Sequence, residues 1–151
     1  MRPIAVTKKL WIMPQPSLDE FKSLADQGFV TLVNNRPDGE DPTQPGSAAE
    51  ESAARAAGLS YVHIPVTSTG ISPTDIRRFR EAIDASPGPV VAHCRSGARA
   101  FFLWVVSDDL EDSTDDEILT VAEELHLDPK AVTARLDARR RPLSPLTPKP
   151  T

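Results

Sequence analysis

Short apolar runs alternate with amphipathic segments along the chain, and this alternation predicts strands that are separated by helices. Residues 29–35 (FVTLVNN) and 89–93 (PVVAH) are dominated by apolar, often β-branched residues, which is typical of strands covered on both faces of a parallel sheet. Residues 59–66 (LSYVHIPV) predict another strand, and residues 4–13 alternate loosely, as an edge strand or a hairpin does. We expect the strand at 29–35 to be central.

The segments between these strands carry signals that start and stop helices. Ser17 with Glu20, and Ser47 with Glu50, have the spacing of a capping box, in which each side chain accepts a hydrogen bond from the other residue's backbone. Ser72 is followed by a proline at the first helical position. We therefore predict helices at about residues 18–27, 48–57, 74–86, 98–107, 116–125 and 128–139.

Strands that alternate with helices imply right-handed crossovers. The predicted fold class is therefore α/β, with a mainly parallel central sheet flanked by helices. Ligands of such sheets bind outside the carboxyl ends of the strands. The loops that follow Asn35, Val66 and His93 should thus meet at one edge of the sheet, which we call the rim. Residues 36–47 (RPDGEDPTQPGS) predict a long, exposed loop there.

Composition narrows the class of protein. A chain of 151 residues and 16.4 kDa has the size of one domain, which we place at residues 1–139 and follow with a disordered Pro-rich tail at 140–151. No apolar run approaches the roughly 20 residues of a membrane helix, and the N-terminus has no signal-peptide pattern, so we expect a cytoplasmic protein without membrane contacts. The net charge of −5 argues against nucleic acid as a partner.

Metal sites find little support in the sequence. The three histidines and single cysteine have no zinc-site spacing, so no metal or organic cofactor is expected. The acidic stretch 108–117 is interpreted as a solvated turn that caps the following helix. A metal site there is the alternative, although its spacing matches no EF-hand loop.

One segment, PVVAHCRSGARA at 89–100, points strongly to chemistry, because a cysteine lies between a buried strand and the start of a helix. Backbone N–H groups of the loop, the helix dipole and Arg99 should form an anion-binding loop. That environment favours the thiolate of Cys94 and makes it a nucleophile. The alternative is a small buried thiol without chemistry. The anion-binding loop between Cys94 and Arg99 consists of Arg95, Ser96, Gly97 and Ala98.

Three further side chains are auxiliary candidates. His93 either orients the loop through a hydrogen bond or is simply packed at the strand end, and His63 fits the packed interpretation better. Arg36 and Asp38 are interpreted either as a second anion contact with an acid or base facing Cys94, or as a salt-bridged turn.

HCRSGARA, preceded by VNNRPDGE (33–40) and YVHIPV (61–66), resembles the beta-lactamase-hydrolase-like protein, phosphatase-like domain family over about residues 4–110. The resemblance implies the fold of dual-specificity tyrosine phosphatases with an active loop of rhodanese length. Members of that family are described both as phosphatases and as sulfurtransferases. By resemblance, Cys94 is the nucleophile and Arg99 binds the oxyanion.

Departures from the phosphatase pattern direct our choice between these chemistries. Only four residues separate Cys94 from Arg99, one fewer than in tyrosine phosphatases, and Ala100 replaces the usual hydroxyl residue. Phosphatases also need a general acid. The first acid after YVHIPV is Asp75, which we interpret as a helix cap, and Asp38 is the substitute candidate.

We therefore predict a sulfurtransferase that moves sulfane sulfur through a Cys94 persulfide, with a cysteine phosphatase acting through a Cys94 phosphocysteine as the alternative. A non-catalytic anion-binding module is the third possibility. The expected partners are a small anion (thiosulfate, a persulfide or a phosphomonoester) and a thiol acceptor. The sequence does not indicate the oligomeric state.

Overall fold

A computed structural model describes residues 2–67, 70–107 and 113–140 of the chain. Its centre is a five-stranded sheet in the order β1-β2-β5-β3-β4. The strands are β1 (Ile4–Ala5), β2 (Leu10–Met13), β3 (Thr31–Asn34), β4 (Ser60–His63) and β5 (Val90–His93). Strand β1 is antiparallel to β2, and all other pairs are parallel. The predicted mainly parallel α/β fold is confirmed.

The run at 4–13 forms a hairpin whose turn is closed by Thr7, since its hydroxyl accepts a hydrogen bond from the backbone N–H of Leu10 at 2.9 Å. Only β1 is an edge strand of this hairpin, because β2 pairs on its other side with β5. The strand at 29–35 is central, as expected, because β3 pairs with β5 on one side and with β4 on the other. The middle position belongs to β5, and β3 lies beside it.

Six helices occur within the described ranges, at the predicted places and with ends that differ by at most a few residues. They are α1 (Glu20–Asp26), α2 (Ser47–Ala57), α3 (Pro73–Ala85), α4 (Ala98–Ser107), α5 (Asp115–Glu124) and α6 (Pro129–Arg140). Ser72 and Asp75 form the capping box of α3, which confirms that Asp75 is a helix cap. The rest of the predicted tail, residues 141–151, and part of the acidic stretch, residues 108–112, lie outside the described residues.

Two predicted capping boxes were wrong. Helix α1 has Asp19 at its N-cap with no side-chain cap, because the chain makes an extra turn after Ser17. Helix α2 has Gly46 at its N-cap, and Ser47 is its first residue. The carboxylate of Asp38, from the preceding loop, accepts the backbone N–H of Ser47 at 2.7 Å and so caps this helix from a distance.

The core consists of two layers, one on each face of the sheet. Helices α1 and α2 pack on one face, around Phe21, Leu32 and Val91. Helices α3 to α6 pack on the other. Alternate residues of each strand point to opposite faces, so neighbouring residues enter different layers. Helix α4 is largely buried, as its apolar run predicts, and it carries Phe101 and Trp104 into the core.

Within the described ranges no helix is long and apolar enough to cross a bilayer. The same residues contain no group of three His, Cys, Asp or Glu side chains arranged to hold a metal ion.

Candidate active site

The carboxyl ends of β3, β4 and β5 meet at the rim, as the sequence predicted. The backbone N–H of Asn35 donates to the carbonyl of His93 at 2.7 Å, which ties the two strand ends together. Asn35 also donates its side-chain amide to the carbonyl of Ile64 at 2.9 Å. Arg99 reaches across to the carbonyl of Val66 at 3.1 Å. The three loops therefore form one continuous surface.

Cys94 follows β5 directly and is fully buried. Its sulfur accepts a hydrogen bond from the backbone N–H of Gly97 at 3.1 Å, and helix α4 begins at the next residue. The loop is held from outside by the backbone N–H of Gln15, which donates to the carbonyl of Arg95 at 3.0 Å. The loop thus places one backbone N–H and the N-terminus of α4 beside the sulfur.

Glycine is strongly favoured at position 97. Its φ is +98°, in the left-handed region that other residues rarely adopt. A Cβ atom there would lie 2.9 Å from Cδ2 of Leu125, at the end of α5. This conformation turns the Gly97 N–H toward the sulfur of Cys94, so the loop geometry depends on both the backbone and its packing.

Arg99 pairs with Glu40, a residue that the sequence analysis did not single out. The guanidinium donates to both oxygens of the Glu40 carboxylate, with the Nη2 contact at 2.8 Å. These hydrogen bonds are the main cause that raises the pKa of Arg99, and the nearby Cys94 sulfur raises it further. Arg99 thus lies between the thiol on one side and a carboxylate on the other.

Glu40 bridges two arginines. Its Oε1 atom also accepts from Nε of Arg36 at 3.0 Å. The hydrogen bond from Arg99 is the largest influence on its carboxyl group, and together with Arg36 it lowers the pKa of Glu40 to about 2. Glu40 therefore stays ionised at neutral pH and fixes the orientation of Arg99. In the sequence Arg99 and Glu40 are 59 residues apart, so no local pattern reveals the pair.

Arg36 is buried in the salt-bridged arrangement that was one of the two interpretations of NNRPDGE. Besides Glu40, its guanidinium donates to Oε1 of Gln15 at 3.1 Å, and its backbone N–H donates to Oδ1 of Asn34 at 2.8 Å. Arg36 is therefore linked to Arg99 through Glu40, which pairs with both guanidinium groups. The backbone carbonyl of Arg36 lies 2.8 Å from Nε2 of His63, which gives that histidine a structural contact at the strand end.

The carboxylates of the rim are engaged by their own loops. Asp38 accepts from the hydroxyl and the backbone N–H of Ser47, and these two bonds lower its pKa. Asp41 accepts from Thr43, which lowers its pKa in the same way, and it lies 3.9 Å from Arg95. Asp38 is thus held as an ionised helix cap, a state that suits a general acid poorly.

His93 occupies a buried position between two acceptors. Its Nε2 atom lies 2.8 Å from Oε1 of Glu50, and its Nδ1 atom lies 3.1 Å from the carbonyl oxygen of Cys94. Glu50 also contacts Gln15 at 2.8 Å and the hydroxyl of Tyr61 at 3.3 Å. None of these three contacts of Glu50 was predicted, because its spacing from Ser47 indicated a capping box. The available signal was the position of Glu50 four residues before the buried Ala54, which places it on the buried face of α2.

The family profile described as beta-lactamase hydrolase-like protein, phosphatase-like domain matches residues 3–111. The chain belongs to this family. A beta-lactamase hydrolase-like protein of Xylella fastidiosa is 44% identical over 111 residues, which are 74% of this chain and 26% of that protein. The chain thus spans about a quarter of the aligned relative's length. The resemblance over residues 4–110 is confirmed.

Solved structures agree with this membership. A candidate phosphatase of Neisseria meningitidis Z2491, nma1982, has a TM-score of 0.79 and 32% identity, and the match covers 91% of this chain and 97% of that one. The core catalytic domain of the PP-IP phosphatase SIW14 of S. cerevisiae has a TM-score of 0.69 at 12% identity, covering 93% of this chain and 85% of that one. The second likeness shows the shared tyrosine-phosphatase-like fold alone.

For a member of the beta-lactamase hydrolase-like phosphatase-like family, these comparisons favour the phosphatase alternative over the sulfurtransferase that the loop length had led us to expect. The chain is therefore a phosphatase-like domain.

Proposed function

We propose that this domain is a cysteine-dependent phosphatase, with Cys94 as nucleophile and Arg99 as the oxyanion-binding residue. The observation that carries the proposal is the hydrogen bond from the Gly97 N–H to the buried sulfur of Cys94 at the start of α4. Membership of a phosphatase-like family supports phosphate, rather than another anion, as the group that is transferred.

The reaction has two displacements. The Cys94 thiolate attacks the phosphorus of a phosphomonoester, an S–P bond forms, and the P–O bond to the leaving group breaks, with its electron pair going to the leaving oxygen. Water then attacks the phosphocysteine, the S–P bond breaks, the thiolate is regenerated, and the phosphate carries away the oxygen of the water. The loop N–H groups and Arg99 stabilise the charge on the phosphoryl oxygens in both steps.

Leaving groups that need no proton are the favoured substrates. Asp38, Asp41 and Glu40 all have lowered pKa values, and Asp75 caps a helix, so these rim carboxylates are poorly suited to protonate an alkoxide. An aryl phosphate releases a stabilised phenoxide and depends less on an acid. We therefore place aryl phosphates ahead of alkyl phosphates as substrates.

The test compares the purified chain with its Cys94→Ser variant on an aryl phosphate and on an alkyl phosphate. We expect hydrolysis of the aryl ester by the native protein, a loss of at least about 10³-fold in kcat/KM in the variant, and a phosphocysteine in rapidly quenched native protein by intact-mass spectrometry. Hydrolysis that persists in Cys94→Ser, or an alkyl ester turned over as fast as the aryl ester, contradicts the proposal.

Sulfur transfer is the second candidate, and one observation favours it. Four residues, rather than five, separate Cys94 from Arg99, which gives a smaller ring of donors than a phosphoryl group prefers. In this reaction the Cys94 thiolate attacks the outer sulfur of thiosulfate, the S–S bond breaks, and sulfite leaves with the electron pair. An acceptor thiolate then takes the outer sulfur from the Cys94 persulfide. Neither step requires a general acid.

Incubation with thiosulfate, measured beside the hydrolysis of aryl phosphate, separates the two candidates. Incubation followed by intact-mass spectrometry shows one added sulfur, removable by cyanide, if the domain is a sulfurtransferase. A protein that forms this persulfide and does not hydrolyse aryl phosphate replaces the phosphatase proposal with sulfur transfer. A protein that does neither, yet binds both anions, is the non-catalytic anion-binding module.

A further inference from the structure

A fourth segment borders the active-site loop, besides the three loops that follow β3, β4 and β5. It consists of residues 13–16, the last residue of β2 and the three that follow it. The backbone N–H of Gln15 donates to the carbonyl of Arg95 at 3.0 Å. A Cβ atom at Gly97 would lie 3.7 Å from the backbone carbonyl carbon of Met13. The segment therefore lies against the loop at two places.

The backbone of this segment is rigid because a proline stands on each side of Gln15. Proline fixes its own φ at about −65°, and a residue that precedes a proline is confined to extended conformations. Pro16 is buried, so the segment is also anchored in the protein. The position of Gln15 relative to the loop is thus held by the chain itself.

The side-chain amide of Gln15 uses both of its N–H bonds and its oxygen. Its Nε2 atom donates to the carbonyl of Pro16 at 2.9 Å and to Oε2 of Glu50 at 2.8 Å. Its Oε1 atom accepts from Nη1 of Arg36 at 3.1 Å. These partners fix the orientation of the amide, because a flipped amide would place its nitrogen against a guanidinium and its oxygen against two acceptors.

The amide contacts a buried cation that is linked to the active site. Arg36 is only 4% exposed. With its Nη1 atom held by Gln15, the Nε atom of Arg36 donates to Glu40 at 3.0 Å, and Glu40 in turn accepts from Arg99. A neutral amide satisfies a donor of the buried guanidinium without cancelling its charge. Arg36 therefore keeps both its orientation and its charge toward Glu40.

We infer that Gln15 is a positioning residue of the active site, whose side chain orients Arg99 through Arg36 and Glu40. This role rests on the proposed function, in which Arg99 binds the oxyanion. The backbone hydrogen bond from Gln15 to Arg95 keeps this row of side chains at a fixed distance from the loop. Displacement of a positioned group by about 1 Å is enough to slow a reaction by about 10²-fold.

The test replaces Gln15 by methionine, which has a similar length but forms none of the three side-chain hydrogen bonds. We expect kcat/KM for 4-nitrophenyl phosphate to fall by at least about 10-fold in Gln15→Met. The control is the same substitution at Gln27, an exposed residue at the end of α1, which should leave kcat/KM unchanged. If Gln15→Met does not fold, Gln15→Asn takes its place in every measurement, because its amide is one methylene too short to reach Arg36 and Glu50 together.

A double-mutant cycle separates positioning from a merely structural role. The substitution Gln15→Met is repeated in a Glu40→Ala background, where the link between Arg36 and Arg99 is already broken. If Gln15 acts through Glu40, Gln15→Met should lower kcat/KM much less in this background than in the native one. An equal fold-change in the two backgrounds shows that Gln15 only supports the fold, and it overturns the inference.

Binding of inorganic phosphate, measured by isothermal titration calorimetry, keeps the inference separate from the proposed function. The orientation of Arg99 affects a bound anion whether or not that anion reacts. We expect Kd for phosphate to rise by about 10-fold in Gln15→Met and to stay native in Gln27→Met. If the native protein shows this pattern but hydrolyses no ester, the proposed function fails and the inference stands. If the native protein hydrolyses the ester and Gln15→Met keeps its kcat/KM and Kd, the inference fails and the function stands. A native protein that binds no phosphate overturns both.

Discussion

Replacing Gly97 by alanine tests the coupling between the fold and the active-site loop. Two separate penalties meet at this position. The first is backbone strain, because an L-residue at φ +98° is disfavoured by about 1–2 kcal/mol. The second is steric, because the new Cβ would lie 2.9 Å from Cδ2 of Leu125, while carbon atoms normally approach to about 3.5–4.0 Å.

The steric penalty is moderate because the contacted atom ends a side chain. Leu125 must retreat by roughly 0.6–1 Å, and overpacking of this kind costs about 1–3 kcal/mol in a well-packed core. Taking the lower part of that range, we expect Gly97→Ala to reduce the free energy of unfolding by about 2–3 kcal/mol. The urea midpoint should then fall by about 1 M.

Gly28 provides the matched control. Its φ of +104° is nearly the same, and a Cβ there meets no atom within 4 Å. Gly28→Ala should therefore show the strain alone, about 1–2 kcal/mol, and the difference between the variants isolates the contact with Leu125. Equilibrium urea unfolding followed by tryptophan fluorescence measures all three proteins. In Gly97→Ala, the rate at which iodoacetamide alkylates Cys94 should also change, because the displaced N–H no longer faces the sulfur.

The reasoning is refuted if Gly97→Ala is no less stable than Gly28→Ala, or if its alkylation profile equals that of the native protein. A double variant that also carries Leu125→Val checks the steric part. Shortening the contacted side chain should make the alanine less costly at position 97 than it is in the native background.

Two further predictions concern the charged groups around the loop. Arg99→Lys keeps the charge but loses the forked guanidinium, so activity should fall by about 10²-fold or more while the far-ultraviolet circular dichroism spectrum is unchanged. Arg95→Ala should reduce activity less. If Arg95→Ala reduces activity more than Arg99→Lys, the oxyanion-binding residue is misassigned. Glu40 has its pKa lowered from 4.5 to about 2, so its contribution to stability is complete above about pH 4.5 and is lost as the pH falls toward 2. The native protein should be more stable than Glu40→Gln at neutral pH, and the gap between their urea midpoints should narrow as the pH falls from about 4.5 to about 2. A gap that stays constant would show that Glu40 is not the stabilising charge.

The helices and strands could be predicted from the sequence because the signals for each lie within its own segment. Hydrophobic periodicity and capping residues depend only on residues that are close in sequence. They were enough to predict the strand in the apolar run at 29–35, the start of α3 at Ser72-Pro73 and the buried helix α4. The order of the strands in the sheet was harder to predict from the sequence. The central place of β5 depends on β2 pairing beyond it, which is a long-range choice that no single segment encodes.

The candidate site likewise contains residues that a local motif predicts and residues that distant segments contribute. Cys94, Gly97 and Arg99 lie within six residues and follow from one motif. The two carboxylates that contact the site, Glu40 at Arg99 and Glu50 at His93, come from a distant loop and a distant helix. Glu50 even gave a misleading local signal, since it stands three residues after Ser47 and suggested a capping box, whereas its side chain turns inward to His93. Local spacing cannot distinguish these two uses of the same residue.

The salt-bridged and the anion-binding interpretations of Arg36 are compatible once charges are counted. Arg36, Arg99 and Glu40 together carry one net positive charge, because the single carboxylate bridges both guanidinium groups. Without Arg36, Glu40 would neutralise Arg99 completely. An anion bound about 5 Å from Glu40 is repelled by about 3 kcal/mol per unit charge at an effective dielectric constant near 20, and a second guanidinium at a similar distance offsets that repulsion. We therefore expect Arg36, which is buried and contacts Glu40, to keep the loop attractive to an anion while Glu40 orients Arg99.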